Sequence, residues 1–334
     1  GVASQSFIHI SIILDIWILI NLNFFRWRVA FSLICRINPR HIAWHNPIPP
    51  TNVENEHMAT GNEEEDYWNN DGGKRWVTHI DAIETMLSGL NDTLTSGVNI
   101  KSGEHILDIG CGGGVTSAAH AAAAGSGGSV IGADISEVIL TVARERYANV
   151  SNLEFITADA GTFEFESKRF DVITSRFGVM FFPEPTAAFQ NIRQAAKDGG
   201  RMVFICWAPA TENPWMSAPA AAAFTILPRP EKPKPGTPGP FAFAEPDHVK
   251  TILGDAGFVD IKTSLIEQPL NMGSVALSLK TMTKVGPAAE PLREASNEQR
   301  DAAIARMREV FAAHDDGDGV IMQSAIWLVE ARVP

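Results

Sequence analysis

Residues 106–114 read Ile-Leu-Asp-Ile-Gly-Cys-Gly-Gly-Gly, an apolar run that ends in an acid and passes directly into a glycine turn. Glycine lets the backbone bend sharply and approach a ligand where a Cβ atom would clash. The alanine-rich stretch that follows predicts a helix, whose first turn presents unpaired N–H groups and the positive end of the helix dipole. The stretch therefore predicts a strand-turn-helix unit that holds a nucleoside-bearing ligand.

The glycine spacing separates this turn from that of dinucleotide-binding enzymes. In those enzymes the glycines follow the pattern G-x-G-x-x-G/A, and the helix N-terminus faces a pyrophosphate. Here the glycines are Gly110, Gly112 and Gly114, and Val115 occupies the position of the third dinucleotide glycine. Asp108 would also direct a negative charge at the ligand, which suits a cationic amino-acid group and repels a pyrophosphate.

The turn resembles the first motif of the class I S-adenosylmethionine-dependent methyltransferases, which reads acidic-x-Gly-x-Gly-x-Gly after a strand. Residues 129–135, Ser-Val-Ile-Gly-Ala-Asp-Ile, are a second apolar run that ends in an acid. The separation between Asp108 and Asp134 is close to the offset of about 20 residues at which a ribose-binding acid ends the second strand of such units. The resemblance implies that Asp134 binds both ribose hydroxyls and that Ile135 packs on the adenine.

Two further runs continue the resemblance. Residues 153–160 predict a third strand that ends in Asp159, which the family places beside the adenine amino group. Residues 170–177 predict a fourth strand and the loop beneath the transferred methyl group. The resemblance thus implies a set of cofactor-binding residues along these strands: Asp108, Gly110, Cys111, Gly112, Gly114, Asp134, Ile135, Asp159, Ala160 and Ser175.

The segment from Asp66 to Leu94 predicts an N-terminal helix. From Trp76 onward its apolar residues recur at intervals of three and four, the spacing of a half-buried helix. Similar methyltransferases fold such a segment over the cofactor pocket. The resemblance implies that Trp68, Arg75 and Trp76 close the pocket, with Arg75 binding the methionine carboxylate; a tryptophan cluster with a structural role is the alternative.

Two segments are candidates for the methyl-acceptor site. Residues 177–183 are unusually apolar, and the resemblance places the acceptor at this loop. Residues 213–245 are rich in proline and follow the predicted fifth strand, where relatives insert elements that cover the substrate. We expect this insertion to be a lid, or alternatively a small core packed on itself. The candidate acceptor contacts are Phe177, Trp215, Phe241 and Phe243.

The succession of strands and helices predicts an α/β fold for residues 58–334, a Rossmann-like three-layer α/β/α sandwich. It would contain about seven strands, mostly parallel, with an antiparallel C-terminal strand, the N-terminal helix and the lid insertion. The acidic run at 315–319 faintly resembles a calcium loop, but His314 and Ala325 fill its first and twelfth ligand positions. We therefore expect a hairpin turn there and no metal site.

Charge and cysteine content narrow the choice of partners and compartment. The formal charge of −12 over 334 residues argues against a nucleic-acid partner, since binding phosphates needs a concentrated basic face. Cys35, Cys111 and Cys206 form no C-x-x-C pair, so neither disulfides nor zinc ligation is indicated. We therefore expect a cytoplasmic, reducing environment, with Cys111 as a small structural residue of the glycine turn.

Residues 1–57 differ in composition from the rest, since they contain no lysine and no glutamate before Glu54. Residues 7–22 are strongly apolar, but they include His9 and Asp15 and are shorter than the ~20 residues that a spanning helix needs. There are three possible interpretations: a membrane anchor, a targeting segment or non-native upstream sequence. The third is favoured, because Met58 looks like a natural start. We would expect a membrane as a partner only if residues 1–57 belong to the native protein.

The resemblance implies S-adenosylmethionine as the cofactor and methyl transfer to oxygen or carbon of a small, partly apolar metabolite, as in the quinone- and natural-product-modifying branch. Such a transfer is an in-line displacement that needs mainly alignment and a dry pocket. His79, His248 and Glu212 are available as bases, but their spacing selects none, so the catalytic residues stay open. A cofactor-binding module without turnover and a nicotinamide-dependent oxidoreductase are the alternatives, and the oligomeric state is not indicated.

Overall fold

The computed structural model describes residues 61–234 and 236–334. The N-terminal extension predicted at residues 1–57 lies outside the described residues, and so do the first residues of the domain predicted from residue 58. Among the described helices, none combines the length and the apolar character that crossing a membrane requires.

One seven-stranded sheet organises the described residues, in the order β3-β2-β1-β4-β5-β7-β6. The strands are β1 (His105–Ile109), β2 (Ser129–Asp134), β3 (Leu153–Thr157), β4 (Phe170–Arg176), β5 (Ala196–Trp207), β6 (Val259–Asn271) and β7 (Ile321–Arg332). The first five run parallel to one another, whereas β7 is antiparallel to both β5 and β6. This confirms the predicted Rossmann-like sheet with its antiparallel C-terminal strand.

Helices pack around this sheet. They are α1 (Gly61–Asn69), α2 (Asp71–Met86), α3 (Ser88–Val98), α4 (Val115–Ala124), α5 (Glu137–Arg146), α6 (Pro185–Ala195), α7 (Pro214–Ala223), α8 (Pro246–Asp255), α9 (Val275–Val285), α10 (Ala289–Glu294) and α11 (Asn297–Ala312).

The single N-terminal helix of the sequence prediction is instead three helices, α1 to α3. At Asn70 the side-chain amide donates to the Asp66 carbonyl at 2.9 Å, and the backbone leaves the helical region with φ −116° and ψ −121°. Asparagine offers the backbone such a local alternative to the helical hydrogen bond. The second break falls at Leu87, where φ is −91° and ψ is 6°.

The central strands bury both faces and bring the strand ends to one edge. Ile106, Val130, Ile173 and Phe204 are at most 1% exposed, as expected of parallel strands covered on both sides. β1 lies between β2 and β4, so the strand order reverses at β1. Ligands of open α/β sheets bind beside such a switch point, at the carboxyl ends of the strands.

Asn213 ties the start of α7 to the C-terminal strand β7. It is fully buried, its side-chain amide donates to the carbonyls of Ala208 (3.0 Å) and Ala325 (2.9 Å), and its Oδ1 accepts the Ala325 N–H at 3.0 Å. We expect Asn213→Leu to lower the free energy of unfolding by about 2–4 kcal/mol, because these buried backbone groups lose their partners. Chemical denaturation measures the loss, and exposed Asn149→Leu is the control. A loss no larger than that of the control would contradict this role.

Candidate functional site

A cavity of about 250 Å³ opens at the carboxyl edge of the sheet. The glycine turn after β1 and the ends of β2 and β4 line it, together with the segment after β3 and the loop after β4. Residues of α1, α2, α7 and α9 complete the walls. The cavity lies beside the switch point, where this class of sheet binds its ligands.

The glycine turn forms one side of the cavity. Gly110 has a φ of 63°, and a Cβ atom on it would stand 2.6 Å from the Cα of Gly178. Both the backbone conformation and the contact therefore require glycine. Gly110, Cys111 and Gly112 line the cavity, where cofactor contacts were expected, whereas Gly114 does not.

Asp134, the last residue of β2, faces the cavity with its carboxylate held by two backbone donors. The N–H groups of Gly112 and Ser136 donate to it at 2.8 and 2.9 Å. Burial raises the pKa of Asp134, and these two hydrogen bonds act in the opposite direction. Its neighbour Ile135 also lines the cavity, and its carbonyl accepts the side-chain amide of Asn69 at 3.0 Å, which docks α1 beside the site.

The segment after β3 contributes the next two expected residues, Asp159 and Ala160, and both line the cavity. The Asp159 carboxylate accepts the N–H of Gly161 and the hydroxyl of Thr162, each at 2.9 Å. These bonds hold its side chain in a turn at the strand end, so its orientation is fixed before any ligand arrives.

Asp108 does not point into the cavity, contrary to the sequence prediction. Its side chain is fully buried beneath the glycine turn, and its Oδ2 accepts the hydroxyls of Thr116 (2.8 Å) and Ser117 (2.6 Å) at the start of α4. The other carboxylate oxygen has no partner among the described residues. Burial also raises the pKa of the neighbouring Cys111 thiol well above its ordinary value, which disfavours the nucleophilic thiolate.

The N-terminal helices close one side of the cavity with tryptophan rather than arginine. Trp68 and Trp76 line it, and Trp68 packs edge-to-face on Trp76 (5.9 Å) and on Phe181 (5.5 Å). Arg75 does not line the cavity. Its guanidinium lies 5.8 Å from the ring centroid of Tyr67, so this cation–π contact holds it at the outer surface of the helix pair.

Three charged residues that the sequence analysis did not single out line the cavity: Glu64 on α1, Glu84 on α2 and Arg176 at the end of β4. Glu84 lies against the glycine turn and pairs through Oε2 with Arg146 at 2.6 Å, while its buried Oε1 has no partner among the described residues. The Nη1 of Arg176 is also buried without a partner. Burial lowers the pKa of the Arg176 guanidinium, and the nearby carboxylates of Glu84 and Asp108 act against this.

Aromatic residues from the loop after β4, from β5 and from α7 form another wall of the cavity. Phe177 stacks on Trp207, the last residue of β5, with ring centroids 4.2 Å apart and planes 8° apart. Trp215 of α7 lies 5.0 Å from Trp207. Of the expected acceptor contacts, Phe177 and Trp215 therefore lie on the cavity, and Met180 and Met216 beside them add flexible thioethers.

Three further expected site residues lie away from the cavity. Phe243 is 2% exposed and packs against Phe189 and Phe204 in the core, which leaves it no surface for an acceptor. Phe241 is half-buried and packs against the same core, while its neighbour Pro240 lines the cavity. Ser175 is buried, and its hydroxyl donates to the Ile109 carbonyl at 2.7 Å, so it joins the loop after β4 to the glycine turn.

Comparison with known proteins connects this geometry to a family. Residues 106–200 match the family model described as a methyltransferase domain. The chain is 40% identical over 131 residues to a demethylmenaquinone methyltransferase of Clavibacter sepedonicus, a match that covers 38% of this chain and 52% of that relative. It is 28% identical over 169 residues to a ubiquinone/menaquinone biosynthesis C-methyltransferase of Escherichia fergusonii, covering 46% of this chain and 67% of that relative. The match thus spans about half the length of the first of these relatives.

A solved structure with a similar fold is phosphoethanolamine N-methyltransferase 2 of Haemonchus contortus in complex with S-adenosyl-L-methionine. The two chains superpose with a TM-score of 0.50 at 18% identity, over 81% of this chain and 60% of that one. At this level of identity the likeness concerns the fold.

Proposed function

We propose that this chain, which belongs to the class I S-adenosylmethionine-dependent methyltransferase family, binds S-adenosylmethionine and transfers its methyl group to oxygen or carbon of a small, partly apolar metabolite. The observation that carries this proposal is a pair of oppositely charged residues on the cavity wall, Glu84 and Arg176, each with an atom that lacks a partner. Glu84 Oε1 and Arg176 Nη1 are buried, and neither has a hydrogen-bond partner among the described residues.

Buried charged groups are nearly always paired or hydrogen-bonded, because burying a charge alone is costly. Charges of both signs in one place are satisfied by a ligand that itself carries both signs. The amino-acid end of S-adenosylmethionine fits, with its carboxylate at Arg176 and its ammonium group at Glu84. A dinucleotide pyrophosphate carries negative charge alone and would leave Glu84 Oε1 without a partner.

We assign the adenosine end of S-adenosylmethionine to the carboxyl ends of β2 and β3, farther along the same edge of the sheet. Asp134 faces the cavity, and each of its oxygens already accepts a backbone N–H, which leaves lone pairs for two ribose hydroxyls. Ile135 and Ala160 line the cavity beside it and supply apolar contact for the adenine. Asp159, held in its turn, would accept a hydrogen bond from the adenine amino group.

S-adenosylmethionine supplies an electrophilic methyl group on a sulfonium, so the protein has to align an acceptor with it and keep water away. Phe177, Phe181 and Trp207 line the cavity with aromatic surface, and Trp68 packs over Phe181 from α1. In this proposal these residues keep water out of the cavity. The two relatives are named for the methylation of quinones, and one of them for transfer to carbon, which supports an apolar acceptor for this chain.

Residues 213–245 act as the lid over the acceptor in this proposal, within a single methyltransferase domain that begins at residue 58. Two contacts support this: Trp215 and Pro240 line the cavity, and the N–H of Gly239 donates to the Met180 carbonyl at 3.1 Å. The hydrogen bond ties the proline-rich segment to the loop after β4, so that its placement follows that of the loop.

Isothermal titration with S-adenosylmethionine and S-adenosylhomocysteine tests the cofactor assignment. We expect the wild type to bind both and Asp134→Ala to lose about 10- to 100-fold in affinity, because two hydroxyl hydrogen bonds to a charged acceptor disappear. Asp301→Ala, an exposed carboxylate on α11, should bind like the wild type. No binding by the wild type, or undiminished binding by Asp134→Ala, would overturn the proposal. Binding without transfer of labelled methyl across a broad acceptor panel would leave a module that binds the cofactor only.

A further inference from the structure

The acceptor side of the cavity carries an aromatic wall, defined by Phe177, Trp207 and Trp215, in which the Trp215 ring is tilted by 49° from that of Trp207. Phe177 and Trp207 stack with ring centroids 4.2 Å apart and an interplanar angle of only 8°, and all three residues line the cavity. Trp207 covers one face of the Phe177 ring, and Phe177 is only half-buried. The uncovered side of that ring is therefore available to a ligand.

The backbone of Phe177 is strained to hold its ring in this position. Its φ is 66°, in the left-handed region that a bulky residue rarely enters. Such a conformation costs on the order of 1–3 kcal/mol and persists only where surrounding contacts impose it, which is often at ligand sites. Here the Phe177 N–H donates to the Ile205 carbonyl of β5 at 3.1 Å, and the stack on Trp207 holds the side chain.

Hydrogen bonds fix the aromatic wall from behind. The Trp215 indole N–H donates to Asn213 Oδ1 at 3.1 Å, and Asn213 is in turn bonded to Ala325 of β7. The position of Trp215 is thus set by the sheet. A wall whose side chains are already ordered can stack on a ligand without losing further rotamer freedom.

The aromatic wall is also fixed relative to the glycine turn. Ser175 donates to the Ile109 carbonyl and accepts the N–H of Gly178 at 3.1 Å, which joins the residues on both sides of Phe177 to the turn after β1. The backbone of Gly178 packs directly on that of Gly110. A ring stacked on Phe177 would therefore keep a constant position relative to anything bound at the turn, as an in-line transfer requires.

We infer that the methyl acceptor is a planar conjugated ring compound, which stacks on the aromatic wall. Stacking on the open face of Phe177 rewards a flat π-system, whereas a puckered saturated ring touches that face with few atoms. Met180, Met216 and Met282 also line the cavity, and thioethers pack well against the edges of aromatic rings. This inference rests on the proposed function and adds the shape and electronic class of the acceptor.

The test compares 2-naphthol with decahydro-2-naphthol by titration into the protein saturated with S-adenosylhomocysteine. The two probes share a carbon skeleton and a hydroxyl, but only the first is planar. The saturated probe is the more apolar, so a merely apolar cavity would bind it at least as tightly. We expect 2-naphthol to bind about five- to tenfold more tightly in the wild type, as a stacking contribution predicts.

Phe177→Gly should abolish that preference and leave the fold intact, because glycine adopts a φ of 66° without strain. Phe177→Leu keeps the apolar bulk without the flat face and should abolish it too. Phe163→Gly, at an exposed ring outside the cavity, should retain it. Equal or tighter binding of the saturated probe by the wild type, or a preference that survives both Phe177 substitutions, overturns the inference. S-adenosylhomocysteine titrations of the same proteins separate this result from a failure of the proposed function itself.

Discussion

Arg176→Met is expected to weaken S-adenosylhomocysteine binding by roughly 30- to 150-fold, which corresponds to about 2–3 kcal/mol for hydrogen bonds to a charged group in a buried site. The guanidinium lines the cavity and its Nη1 is buried without a partner among the described residues, so a ligand carboxylate is its natural partner. Methionine retains much of the length of the side chain and removes only the charge and the donors. Isothermal titration measures the change.

A second ligand distinguishes a contact with the amino-acid end from a general disturbance of the site. 5′-Methylthioadenosine lacks the amino-acid group and should bind Arg176→Met and the wild type with equal affinity. An equal loss for both ligands would show that Arg176 shapes the cavity and does not bind the carboxylate. Exposed Arg308→Met on α11 is the control for the loss of one positive charge.

The stability of the ligand-free variant provides an independent measurement. An arginine that holds the fold together would lose stability when replaced, whereas one buried without a partner relieves a desolvation penalty on removal. We therefore expect the melting temperature of ligand-free Arg176→Met to stay at or above that of the wild type. A substantial decrease would contradict the assignment of Arg176 to a ligand.

The sequence was sufficient to predict the sheet and the strand-end acids that line the cavity, because both depend on local signals. Asp134 and Asp159 each follow an apolar run that became a parallel strand, so their location at the carboxyl edge could be predicted from their positions alone. The antiparallel final strand also followed from the order of the elements. What these predictions share is that a strand's direction fixes where its last residue lies.

The positions of the charged residues with unpartnered atoms could not be predicted in the same way. Asp108 has a signal as strong as that of Asp134, yet the hydroxyls of Thr116 and Ser117 draw its carboxylate beneath the turn. Glu84 is one charged residue among several on an amphipathic helix, and only the docking of α2 on the glycine turn makes it part of the site. Arg176 did leave a signal, a cation at the end of an otherwise buried strand.

The N-terminal segment and residues 213–245, the proposed lid, show the same limit to prediction from sequence. Arg75 and Trp76 are adjacent in sequence, and which of them faces the cavity depends on the rotation of α2 about its own axis. The structure turns Trp76 inward and leaves Arg75 over Tyr67. Phe243 likewise has an aromatic side chain suited to an acceptor, but the core phenylalanines enclose it completely.

Gly110→Ala is expected to abolish measurable cofactor binding and to lower the free energy of unfolding by about 3 kcal/mol or more. Two penalties add at this position. The left-handed φ of 63° costs a residue with a Cβ roughly 1–2 kcal/mol. The new Cβ would also stand 2.6 Å from the Cα of Gly178, a backbone atom that can yield only if the loop after β4 moves away from the glycine turn.

Two matched substitutions separate these penalties. Gly199→Ala imposes a similar φ of 73° where nothing lies within 4 Å of the new Cβ, so it should lose about 1 kcal/mol of stability and keep full cofactor affinity. Gly178→Ala has an ordinary φ of −74°, but its Cβ would approach the Gly110 Cα to 2.7 Å. If contact between the two loops holds the cofactor turn and the aromatic wall in register, Gly178→Ala must reproduce the binding defect of Gly110→Ala. Normal titration of S-adenosylhomocysteine into folded Gly178→Ala would show instead that the two halves of the site are positioned independently.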